Sequence, residues 1–203
     1  MGILKGRSLG ACVVAACSAL ACGNGHLDAF ESAPSGLIDD FEDLNTQAAF
    51  GVGWWFITND GSGTQTMEVV APGDRLGDLG ALHSTGGPFT DWGAIVGVNL
   101  AGTGAGGEYD ASRFTSLRFF AKAGPGSQTA TTACFLSGDT CFSYGVTLDS
   151  TWSEYTIPLA SASNADNPML RLDASRIRCV QFALSGTGIF DLWLDDVAFV
   201  RQP

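Results

Sequence analysis

Beyond residue 36 the apolar residues do not recur with a helical period. They alternate with polar ones in short runs bounded by Gly, Pro, Asp, Asn or Ser. The runs occupy 37–43, 51–58, 64–70, 81–85, 94–100, 117–122, 133–136, 142–148, 154–159, 177–185 and 190–200, each the length of a strand. Such a series predicts an all-β domain over 37–201, folded as a two-sheet antiparallel β-sandwich. No internal repeat or linker divides it. The composition agrees, with 27 glycines and only 15% charged residues.

The last run, Phe190 to Val200, carries the most information. Phe190, Leu192 and Leu194 alternate onto one face, with Asp191, Trp193 and Asp195 on the other. After Asp195-Asp196 the apolar positions become Val197 and Phe199, so the alternation slips by one. A bulge at the acidic pair, or burial of both strand faces, would produce that slip. Carboxylates among such neighbours need a partner, and a cation is the simplest one.

The first residues are of another kind. Lys5 and Arg7 precede an uncharged apolar stretch, 8–21, which is too short to span a bilayer and suits a secretory signal. Ala19-Leu20-Ala21-Cys22 resembles a bacterial lipoprotein signal in which Cys22 becomes the lipidated residue. Cys17, after Val14-Ala15-Ala16, offers a second position, and an ordinary secretory signal cut nearby is the alternative. Residues 1–21 therefore read as a signal peptide and 22–36 as a polar tether ending in Pro34-Ser35-Gly36. The expectation is an exported protein, lipid-anchored in the periplasm or at the cell surface.

Net charge is −11 and becomes more negative without Lys5 and Arg7. Nucleic acid and anionic headgroups are thereby disfavoured as partners, while neutral ligands and cations are compatible. In an oxidising compartment Cys134 and Cys141, which flank a turn-forming loop at 135–140, predict a local disulfide. Closing so short a loop contributes about 2–3 kcal/mol in the chain-entropy treatment. Cys179 is left as a free thiol on a strand.

Catalysis has little to work with. His83 is the only histidine in the domain, no nucleophile elbow is present, and Asp195 and Asp196, adjacent on a strand, tend to face opposite ways. The glycine-rich 101–107 run lacks the lysine and helix of a phosphate loop. A non-enzymatic protein is expected. Calcium fits the acids better, because it takes 6–8 oxygen ligands. Asp39, Asp40 and Glu42 open the domain, Asp195 and Asp196 close it, and the 74–78 loop could add a donor. Solvated strand-end charges are the alternative.

Leu37-Ile38-Asp39-Asp40-Phe41-Glu42, Asp91-Trp92-Gly93, Trp152 to Leu159 and Phe190 to Val197, in that order, resemble the family 11 carbohydrate-binding modules. They are also similar to other members of the galactose-binding-like jelly-roll superfamily. The resemblance covers about 37–201. It implies a structural calcium, with Glu42 and Asp195 matching the family's ligands and Asp74 in the loop that often contributes, and a groove on a concave sheet; Asp40, near Glu42, completes the expected metal set. Taking Leu117, Phe119, Val180 and Phe182 as core-facing, alternation puts Arg118, Phe120, Lys122 and Gln181 outward. The same alternation lets His83, Thr85, Phe142 and Tyr144 share that face. His83, Arg118, Phe120, Tyr144, Gln181 and Trp55 are the expected sugar contacts, since rings pack on sugar CH groups and planar polar groups meet hydroxyls. Tyr144 matches a family tyrosine, whereas Thr85 and Phe120 stand where the family has a tyrosine and an aspartate.

The leader, the lack of a catalytic constellation and the resemblance together give the expectation of a monomeric, non-catalytic surface lipoprotein that binds a neutral, glucan-like polysaccharide. The alternative is an assembly scaffold that holds a protein partner, as the similar complex I intermediate-associated proteins do.

Overall fold

The computed structural model describes residues 36–49, 53–75, 77–100 and 107–201. The expected signal peptide, Cys22 and the tether up to Ser35 lie outside them. Eleven strands form: β1 Leu37–Asp39, β2 Trp55–Asn59, β3 Thr64–Val70, β4 Ala81–Gly87, β5 Ala94–Asn99 and β6 Ser116–Ala123. They continue with β7 Ala130–Ser137, β8 Thr140–Thr147, β9 Ser153–Pro158, β10 Ile177–Leu184 and β11 Phe190–Val200. No described helix is long and apolar enough to cross a membrane.

The strands make two antiparallel sheets. One runs β3-β4-β11-β6-β9, with β1 also paired to β11; the other runs β2-β5-β10-β7-β8. Between them lies one core. Leu117, Phe119 and Ala121 of β6 and Leu192 and Leu194 of β11 face Val96, Val98, Phe135, Val180 and Phe182 of the other sheet. Phe119 meets Phe182 edge-on, with ring centroids 5.0 Å apart. The two-residue alternation of the sequence is thus the alternation between core and outer face.

The slip in the last strand is a bulge. Pairing of β11 with β6 jumps between Asp195 and Ala198, and Asp196 takes a φ of +48°. The strand keeps its core face throughout, with Phe190, Leu192 and Leu194 inward before the bulge and Val197 and Phe199 inward after it. The first strand is shorter than its 37–43 pattern. Asp39 Oδ1 accepts the Phe41 N–H at 3.0 Å, Asp40 Oδ1 accepts that of Glu42 at 3.4 Å, and Phe41 turns to φ +53°. Such Asx turns compete with strand pairing.

Candidate functional site: the outer face of the five-stranded sheet

β2 buries Trp55 and packs Ile57 against the core, which turns Phe56 and Thr58 outward. β5 buries Val96 and Val98 and presents Gly97. β10 buries Val180 and Phe182 and presents Gln181. β7 presents Cys134, and β8 presents Ser143 and Gly145. Pairing aligns these as one cross-strand row, Phe56–Gly97–Gln181–Cys134–Ser143. At the usual strand spacing five strands span about 19 Å.

Two features of the row are suited to a ligand. A Cβ placed on Gly97 would lie 2.6 Å from Phe56 Cζ and 3.2 Å from Gln181 Cγ. The Phe56 ring therefore covers the glycine, beside the stem of Gln181. Gln181 is only 5% exposed, and its amide makes no hydrogen bond among the described residues. The amide atoms themselves reach solvent, where a ligand hydroxyl could take the place of water. At the far end a Cβ on Gly145 would meet nothing within 4 Å, so the face is open there.

The rims differ. Beyond β8, Ser143 and Ser163 exchange backbone hydrogen bonds of 2.8 and 3.0 Å, and Asn164 Nδ2 donates to the Cys141 carbonyl at 3.0 Å. This ties down the loop that carries the exposed Met169 and Leu170. Beyond β2 stands Trp54, 45% exposed. Cys134 and Cys141 form the disulfide, with Cα atoms 5.8 Å apart. It lies on this same face, and Cys179 is buried, its Sγ donating to the Val180 carbonyl at 3.5 Å.

The expected sugar contacts are divided by the fold. Gln181 is on this face. Tyr144 belongs to β8 but packs against the core. Trp55 is buried, and its Nε1 donates to Asp39 Oδ2 at 2.7 Å. His83 of β4 and Arg118 and Phe120 of β6 occupy the outer face of the other sheet. Alternation orders the faces of a single strand; it does not tell which sheet a strand joins. β6 and β10 join different sheets, so their outward residues point in opposite directions. Phe56 belongs to this face without being among the expected contacts. Its signal is local, since Trp55 and Ile57 as a core-facing pair force it outward.

On the six-stranded sheet many outward side chains pair with one another, although Arg118 Nε is buried without a partner. The His83 ring stacks on Trp193 with centroids 3.9 Å apart, and its Nε2 lies 2.9 Å from Asp191 Oδ1. Lys122 Nζ sits 4.8 Å from the Trp193 ring and pairs with Asp74. Trp152 Nε1 donates to the Asp74 carbonyl at 3.1 Å. Thus the β3–β4 connection straps this face.

The four acids expected to hold calcium do not come together as a donor set. Asp40 caps its own turn, Glu42 Oε1 accepts the Leu79 N–H at 3.0 Å, Asp74 pairs with Lys122, and Asp195 faces Arg75. Among the described residues no three His, Cys, Asp or Glu side chains converge as metal ligands. As placed, these residues do not fit a calcium ion. Asp39, also at this end, has its pKa raised to about 7 by burial, against the lowering effect of its bonds from Phe41 and Trp55.

No protein-family model and no curated protein sequence matches the chain. Solved structures do. A family 11 carbohydrate-binding module of a cellulosomal cellulase of Clostridium thermocellum superposes with a TM-score of 0.62 at 15% identity, covering 85% of this chain and 97% of that one. A family 11 module from the same organism, in complex with a beta-1,3-1,4-mixed-linked tetrasaccharide, gives 0.60 at 16%, covering 82% and 95%. A family 30 module of another C. thermocellum cellulosomal cellulase gives 0.55 at 17%, covering 83% and 98%. The fold is the jelly roll of these carbohydrate-binding modules.

Proposed function

We propose that the chain is a non-catalytic module that binds a neutral polysaccharide on the outer face of the five-stranded sheet. The observation that carries this reading is the Phe56 ring laid over Gly97 beside the unpartnered amide of Gln181. A sugar ring offers CH groups to the first and hydroxyls to the second. The row from Phe56 to Ser143 contains no charged side chain, which favours a neutral ligand. The family 11 module solved with a mixed-linked tetrasaccharide supports a glucan as the first polymer to try. Export and anchoring through Cys22 would hold this face where polysaccharide is met.

Electrophoresis in gels containing soluble glucans tests the reading. Retardation is expected for the wild type and is expected to be lost in Phe56→Ala and weakened in Gln181→Leu. Phe120→Ala, on the opposite sheet, should run as wild type. An unretarded wild type across a broad panel of neutral polysaccharides would sink the proposal.

A second reading, a scaffold for a protein partner, draws on Met169 and Leu170, which are 81% and 44% exposed on the rim loop. Specific capture of one exported protein, lost in Met169→Ser with Leu170→Ser, together with no glycan binding, would favour it.

A further inference from the structure

The bulge in β11 presents two carboxylates to one guanidinium. Arg75 Nη2 donates to Asp196 Oδ2 at 2.5 Å, its Nε lies 3.2 Å from Asp195 Oδ2, and its Nε also pairs with Asp78. The guanidinium carbon stands 4.2 Å from the centre of the Phe120 ring, whose face attracts a cation. Asp195 is 1% exposed; its Oδ1 accepts the Asp196 N–H at 2.7 Å, and its Oδ2 accepts no hydrogen bond. Buried in this way, it needs a positive charge beside it. Arg75 itself is largely covered. Burial works against its charge, but the bonds to Asp78 and Asp196 and the charge of Asp195 outweigh this and raise its pKa.

The strap is pinned to the first strand as well as to the last. A Cβ on Gly80 would lie 2.2 Å from the Phe41 carbonyl oxygen, and the Leu79 N–H reaches Glu42. One short connection therefore joins the turn after β1 to the bulge of β11.

We infer that Arg75 is the built-in cation of this clasp, occupying the place that the acidic pattern suggests for a divalent ion. Stability and ligand binding are then independent of calcium. The carboxylates Asp78, Asp195 and Asp196 form a cation site filled by the chain's own side chain. Phe120, aligned with the sugar-binding positions in the sequence, serves as the floor under that guanidinium.

The test is thermal unfolding of the purified protein with chelator or with millimolar calcium. Wild type should melt at the same temperature in both. Arg75→Ala should melt roughly 6–20 °C lower in chelator, because it leaves a buried carboxylate unpaired. Calcium should leave that loss unchanged, since no three acidic side chains among the described residues converge there as metal ligands. A wild-type midpoint that falls with chelator would overturn the inference, as would an Arg75→Ala protein as stable as wild type. Should Arg75→Ala fail to fold, Arg75→Lys replaces it. A lowered, chelator-independent midpoint would support the clasp, and an unchanged one would refute the need for the guanidinium fork.

Discussion

The two outer faces of the sandwich treat their exposed side chains in opposite ways. On the six-stranded sheet His83, Trp193, Lys122, Asp74, Arg75 and Phe120 are spent on one another under the β3–β4 strap. On the five-stranded sheet Phe56 is held over a glycine and Gln181 is left without a hydrogen-bond partner, with open space at Gly145. Richness in aromatic and charged residues is therefore a poor guide to where a ligand would sit. The face with more chemistry is the more self-paired one, with the buried Arg118 Nε its exception, and the plainer face is the one whose polar row meets solvent.

The comparison can be broken by perturbing each face separately. The largest expected effect is on the strapped face, where Arg75→Ala should cost about 3–5 kcal/mol in denaturant unfolding. Polysaccharide retention at temperatures where the variant is folded should be unchanged. Loss of retention with the fold intact would show that the faces are not independent.

Removing the disulfide by Cys134→Ala with Cys141→Ala should cost about 2–3 kcal/mol. It should also loosen the β7–β8 end of the row and weaken retention, whereas Arg75→Ala should not. Gly97→Val should cost about 1–3 kcal/mol, as overpacking does, and displace the Phe56 ring. Retention should then fall as far as in Phe56→Ala. If it does not, the ring is not the platform.

A pH-dependent effect sharpens the picture from inside the core. The pKa of Asp39 is raised in the folded state from 3.8 to about 7. Between those values the folded protein holds a proton that the unfolded chain has released. Its contribution is therefore fully present below pH 4 and is lost as pH rises through 7. Asp39→Asn should remove this slope, so that the melting temperature of the variant relative to wild type rises steadily from pH 4 to pH 8. A constant difference would mean that the carboxyl ionises normally. The smallest change in stability is expected for Gly145→Gln, whose side chain would enter open space, and retention there should still decline.

Much of this was legible in the sequence. Alternation placed the strands, and the slip at Asp195-Asp196 marked a real bulge. The Cys134–Cys141 bridge followed from their spacing. Sheet membership was not legible, because period-two patterning is a property of one strand and pairing is a property of two. That is why Arg118 and Phe120 were grouped with Gln181. Nor was Arg75 visible as the partner of the acidic pair. It comes from an unpatterned loop 121 residues away from Asp196, and only the closed fold brings the two together. Phe56 was obscured by the two tryptophans before it, one of which, Trp55, serves the core.

One backbone hydrogen bond has a wider implication. Phe199 N–H donates to the Gly36 carbonyl at 2.8 Å, so the polypeptide enters and leaves the sandwich at a single point. The ends can therefore be rejoined by a short linker and the chain reopened elsewhere without redrawing the sheets. The turn at Gly138-Asp139 is the natural place for the cut. There the Cys134–Cys141 bridge would hold both new termini together, as a staple holds a cut hem.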